Sequence, residues 1–250
     1  MTRANLLASV LAAIIAGMFS LQACARVAAP AADAPAAGAA APVAQPALAR
    51  RAATPSAIGE WHLGTNYTLL ESLQPPAVGA GKVEVVEIFW YGCGHCYALD
   101  PALESWKTGK PEFIEFVRVP VIWGPSHQQH AKLYYTIQAL GRPDLHAKIF
   151  DAVHRGGKPL AAQRDEDARA MQMEFLKEHG VSEKSFNAAY DSMPVAANVQ
   201  RARALTEQYA VASVPLIIVN GKYETGVGPA GGTTQLLSLM NDLAASEKGR

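Results

Sequence analysis

Cys93-Gly94-His95-Cys96 is the segment of this 250-residue chain best suited to covalent chemistry. A thiolate, not a thiol, attacks a disulfide. The apolar run before Cys93 reads as a strand and the segment after it as a helix, which puts Cys93 in the helix's first turn. Unpaired backbone N–H groups and the positive end of the helix dipole stabilise an anion there. His95 adds a donor or a positive charge, and Gly94 lets backbone and substrate approach closely. Cys96 lies one turn further on, within reach of a mixed disulfide formed by Cys93. A stabilised thiolate is also a good leaving group, so a Cys93–Cys96 disulfide is easily reduced and oxidises other thiols. The redox-active disulfide itself is the expected reactive group, with no other cofactor. Two further readings compete. Zinc would need two more ligands, and the spacing of the candidates His127 and His130 matches no common finger; both read better as polar helix residues, and no metal is expected. A purely structural pair fits poorly at a strand–helix junction.

The elements that must position this centre follow from the hydrophobic pattern. Tyr67–Leu70 reads as a short edge strand. Lys82–Trp90 (K-V-E-V-V-E-I-F-W) is β-branched and apolar, as a buried central strand should be. The helix after Cys93 runs through Tyr97, Leu99, Leu103 and Trp106, with Pro101 expected to kink it or mark its restart. Phe113–Val119 predicts another strand. Residues 127–210 look helical, with core faces built on Leu133 and Ile137, Leu145 and Ile149, Phe175 and Leu176, Phe186, then Val199 and Leu205. Strand character returns at Val214–Val219. Asn220-Gly221 is a hairpin signal before Lys222–Thr225, and a last helix surrounds Leu236–Met240. The order β-β-α-β, helical block, β-β-α, with C-x-x-C at a strand–helix junction, is a thioredoxin-like α/β layout with an inserted all-helical domain.

Composition sets the surroundings. Lys plus Arg and Asp plus Glu each number 22, so no basic excess suggests nucleic acid. Residues 1–25 have export-signal grammar: Arg3, an apolar run from Leu6 to Phe19, and Ala23-Cys24-Ala25 as an A-x-A-like cleavage site. The run is short for a permanent span. Ser20-Leu21-Gln22-Ala23-Cys24 also resembles a bacterial lipobox, which would make Cys24 an acylated first residue and a membrane anchor; cleavage after Ala25 would instead discard it. Residues 26–57 are half alanine, interrupted by prolines 30, 35, 42, 46 and 55. Almost no large apolar side chains occur there, so the stretch reads as a linker of up to about 100 Å at about 3.1 Å per residue. The expected division is an export signal over 1–25, the linker over 26–57, thioredoxin-like parts over 58–126 and 201–250, and the helical insertion over 127–200.

Glu87-Ile88-Phe89-Trp90-Tyr91-Gly92-Cys93-Gly94-His95-Cys96-Tyr97 resembles the active-site stretch of the DsbA family of bacterial periplasmic disulfide oxidoreductases. Ser213-Val214-Pro215-Leu216-Ile217-Ile218-Val219-Asn220-Gly221-Lys222-Tyr223 resembles its cis-proline segment. The resemblance spans roughly residues 60–245. It implies that Cys93 is the nucleophile and Cys96 the resolving cysteine. Glu87 would be a buried acid beneath the disulfide involved in proton movement, although as a bare strand residue it reads as solvent-facing. Asp100 falls where relatives often carry an acid. Pro215 would present a cis peptide beside the disulfide, and Val214 would offer backbone groups to an extended substrate. The family's commonest centre is C-P-H-C; glycine stands for proline here, and C-G-H-C also occurs in eukaryotic disulfide isomerases.

The implied activity is a monomeric periplasmic oxidase that introduces disulfides into reduced, unfolded exported proteins and is reoxidised by a DsbB-like membrane quinone reductase. An isomerase or reductase on the same scaffold is the first alternative; no folded N-terminal dimerisation domain is read in residues 26–57. A non-catalytic chaperone or adhesion module is the second.

Overall fold

A computed structural model describes residues 57–249. The export segment, Cys24 and all but the last residue of the expected linker lie outside them. That last residue, Ala57, is already in a strand. Strands β1 (Ala57–Ile58) and β2 (Trp61–His62) form a small hairpin. β3 (Thr68–Leu69) is the edge strand expected near Tyr67. β4 (Val83–Phe89) leads to helix α1 (Gly94–Gly109), followed by β5 (Ile114–Pro120). α1 continues through Pro101 as one helix.

Five helices come next: α2 (Pro125–Ala139), α3 (Leu145–His154), α4 (Asp165–Glu178), α5 (Glu183–Tyr190) and α6 (Met193–Gln208). The helical run is therefore longer at both ends than 127–200. Ser182 and Ser192 cap α5 and α6 by accepting hydrogen bonds from the backbone N–H groups of Ser185 and Val195. The chain closes with β6 (Leu216–Val219), β7 (Tyr223–Thr225), the one-turn α7 (Val227–Ala230) and α8 (Thr233–Glu247).

The main sheet has the order β3-β7-β6-β4-β5. β5 is parallel to β4, joined through α1, while β6 runs antiparallel to both β4 and β7. Asn220 and Gly221 make the β6–β7 turn with φ of 54° and 59°, the double left-handed geometry of a tight hairpin. A Cβ on Gly221 would also stand 2.0 Å from the Gln74 carbonyl oxygen.

Every residue of β4 is buried, because both faces of the sheet are covered. Val83 and Val85 join Leu99 and Leu103 of α1 and Leu236 and Leu239 of α8. Val86 and Ile88 point to the opposite face, against Val199 and Ala202 of α6. Phe89 ends the strand in a third cluster with Leu133, Ile137, Ile149 and Phe186 of the helical block, and Tyr91 and Cys96 belong to the same cluster. The end of β4 and the start of α1 therefore lie where the sheet core meets the helical core.

Candidate active site

Cys93 is the N-cap residue of α1, with φ −90° and ψ 116°, and its sulfur accepts a hydrogen bond from the Cys96 backbone N–H at 3.3 Å. A sulfur thus fills the role of a capping oxygen, which suits an anion better than a neutral thiol. Both cysteines are free thiols. The Cys93 thiol is lowered to about 6, first by the hydrogen bond from the Cys96 side chain, then by backbone N–H groups of Cys96 and His95 and the charge of His95. Cys96 is fully buried. Its thiol is pushed far up by its hydrogen bond to Cys93, by burial, and to a lesser degree by the negative charges of Cys93 and Glu87. One sulfur is made an anion and the other is kept protonated.

The loop holding them is tightly fixed. Cys93 N–H donates to the Trp90 carbonyl at 3.0 Å. Gly92 lets the Trp90 ring fold back, since a Cβ there would stand 2.5 Å from it. Trp90 stacks on His127 with centroids 4.3 Å apart. From the helical block, His154 Nε2 lies 2.8 Å from the Tyr91 carbonyl oxygen, and the Tyr97 hydroxyl donates to Asp151 Oδ1 at 2.6 Å. His127 and His130 sit beside the loop, packed against the rings of Trp90 and Tyr91. His130 is buried against the Pro159 carbonyl, and burial lowers its imidazole to about 4.

Opposite the cysteines, the Val214–Pro215 peptide is cis. The Cys93 thiol donates to the Val214 carbonyl at 3.4 Å. A cavity of about 640 Å³ opens beside this contact, lined by Tyr67, His95, Leu99, Pro215, Leu216 and Val227 among others. His95 of this lining and its neighbour Gly94 are both exposed.

Beneath the cysteines lies a charged cluster. Glu87 shares the sheet face of Val85, directed at α1, and is 1% exposed. The β4–β5 register sets Glu87 opposite Arg118. Arg118 Nε donates to Glu87 Oε2 at 2.7 Å, Nη2 donates to Asp100 Oδ1 at 2.8 Å, and Nη1 donates to Glu104. Burial pushes the Glu87 carboxyl up to about 7 against the pull of Arg118. Arg118 and His146, which lies 3.3 Å from Asp100, are site residues that the sequence reading misses. A signal for Arg118 is present in the sequence: an arginine in a mainly apolar strand that a parallel neighbour would place beside Glu87.

Known relatives match most of the chain. A DsbA thiol:disulfide interchange protein of Azotobacter vinelandii is 37% identical over 187 residues, covering 74% of this chain and 84% of that protein. One from Pseudomonas aeruginosa is 34% identical over 76% of this chain and 87% of that protein. The chain belongs to the DsbA family. The crystal structure of Pseudomonas aeruginosa DsbA matches 75% of this chain and 94% of its own, at TM-score 0.68 and 34% identity. The oxidoreductase NmDsbA1 of Neisseria meningitidis matches 75% of this chain and 95% of its own, at TM-score 0.62 and 27% identity. The fold is thioredoxin-like with a helical insertion, and this DsbA-family chain is a protein-disulfide oxidoreductase. No family model matches the chain.

Proposed function

We propose that the chain oxidises reduced, unfolded exported proteins in the periplasm through Cys93 and Cys96. A client thiolate attacks Cys93 Sγ of the disulfide. The S–S bond breaks, a client–Cys93 mixed disulfide forms, and Cys96 leaves with the electron pair and takes a proton from Glu87. A second client thiolate then attacks the client sulfur of the mixed disulfide, and Cys93 leaves as a thiolate. Two electrons have passed from the client to the enzyme. Val214 offers its backbone to the client chain, Pro215 shapes that contact, and His95 and Gly94 border it. A DsbB-like membrane quinone reductase removes the electrons. Monomeric action is part of the proposal.

The observation that carries this reading is the opposed treatment of the two sulfurs, Cys93 lowered to about 6 and Cys96 raised. A stabilised Cys93 thiolate favours the reduced enzyme, which makes the disulfide an oxidant. Purified Cys93→Ser protein should lose all oxidation of a reduced client while remaining folded. Activity that survives the substitution contradicts the mechanism. Faster reshuffling of scrambled disulfides than oxidation of reduced ones would make the enzyme an isomerase.

Tethering through an acylated Cys24, with residues 26–57 as leash, is proposed from the sequence alone. Among the described residues no helix is long and apolar enough to cross a membrane. Acyl label should be present on the full chain and absent from Cys24→Ala; label that persists overturns the anchor.

A further inference from the structure

The charged cluster under the cysteines does not end at Glu87 and Arg118. His146, on α3, is 4% exposed and faces it from the helical block. Its Nε2 stands 3.3 Å from Asp100 Oδ1, at ion-pair distance but without an aligned hydrogen bond. Its Nδ1 is 2.8 Å from the buried Tyr91 hydroxyl. The titratable and charged groups around it are Tyr91 from the loop after β4, Asp100 and Glu104 from α1, Arg118 from β5 and Tyr134 from α2. Glu87 of β4 is reached through Arg118.

The charges around Arg118 do not balance. Glu104 is half-exposed and is also held by Lys107 at 2.7 Å. That leaves two buried carboxylates, Glu87 and Asp100, on one guanidinium. One uncompensated charge in such a place is expensive, so the cluster retains a proton near neutrality. Glu87 holds it in the resting enzyme. Once Glu87 has given that proton to Cys96, the cluster is again one charge short.

We infer that His146 is the positioning residue that refills this cluster, taking a proton from solvent on Nε2 beside Asp100 each time Glu87 protonates Cys96. The inference rests on the reading of Glu87 as proton donor to Cys96. Two features fit His146 to the role. A small cavity of about 140 Å³, lined by Glu104, Lys107, Arg118, Tyr134, Gln138 and His146 among others, brings His146 and Arg118 to one water-sized space. Tyr91 sets the tautomer this needs: its oxygen, 2.8 Å away, accepts from Nδ1–H in both states of the ring, so Nε2 of the neutral imidazole is bare and takes the proton. The proton balance closes, because Glu87 gives one proton to Cys96 and His146 takes one from water. No electron passes through the histidine.

The test is an NMR titration of the full chain labelled in its histidines, from pH 5 to 8, oxidised by glutathione disulfide and reduced by dithiothreitol. The His146 signal is assigned by its loss in His146→Gln. Reduction should raise the His146 midpoint by about one pH unit, the effect of one added negative charge nearby. An unchanged midpoint in the two redox states overturns the inference, and this arm needs no folded variant. In a second arm, His146→Gln should slow reduction of the Cys93–Cys96 disulfide by dithiothreitol about tenfold at pH 8 and little at pH 5, where Glu87 is protonated directly. Equal slowing at both pH values marks a merely structural role. Because neither arm uses a client protein, failure of client oxidation would be seen separately.

Discussion

The two ends of the four-residue centre stand in opposite surroundings. Cys93 faces out, half-buried, with backbone N–H groups and His95 stabilising a negative charge. Cys96 faces in, toward Glu87 and the buried cluster, where another negative charge is resisted. The same helical turn supports both. The first N–H groups of α1 are unsatisfied by its own carbonyls and point at the N-cap sulfur, whereas Cys96 lies within the helix under the ring-packed helical block. A client thus meets a good leaving group at the surface, and the proton is handled from below. Position along one helix, more than the identity of the two intervening residues, divides the roles.

Removing the inner sulfur breaks this division most severely. Cys96→Ala takes away the main stabiliser of the Cys93 thiolate and the group that resolves mixed disulfides. Turnover on a reduced client should fall by about two orders of magnitude or more, and with a client that already carries a disulfide, client–Cys93 adducts should persist on non-reducing gels. The next effect lies beneath. Burial keeps Glu87 protonated up to about pH 7 in the folded protein, while the unfolded chain loses that proton near the ordinary carboxylate value. The folded state therefore binds the extra proton between those pH values, and stability falls as pH rises through them. Glu87→Gln should flatten this fall and stabilise the oxidised protein at pH 8 by about 2 kcal/mol in urea unfolding. Loss of stability at pH 8 would show instead that the Arg118 pair outweighs desolvation. The smallest effect belongs to Gly94. A Cβ there meets nothing within 4 Å, and Cys93 already has the extended backbone a following proline requires. Gly94→Pro should raise stability by about 0.4–1 kcal/mol and leave the Cys93 midpoint near 6.

The centre and its frame are readable because their signals are local. β4 is dominated by β-branched residues, and Asn220-Gly221 states its own turn. The helical faces of α2 to α6 repeat with the right period. What escapes depends on distant partners. β1 and β2 have two residues each, too few to show alternation, and Trp61 is held through Asp242 of α8 at 2.7 Å. Glu87 looks like a solvent-facing strand residue until Arg118, 31 positions later, is placed beside it by β5. His146 is one polar residue on an apolar helix face, and only packing of α3 over α1 brings it to Asp100. Buried charges are legible as pairs, and pairs are made by topology.

The contrast between the two sulfurs is tested most directly by alkylation of the reduced full chain with iodoacetamide from about pH 4 to 9, each cysteine followed by peptide mass. Cys93 should react with a midpoint near 6 and Cys96 should stay unmodified across the range. A Cys93 midpoint at the ordinary thiol value near 9, or alkylation of Cys96 alongside it, would contradict the account.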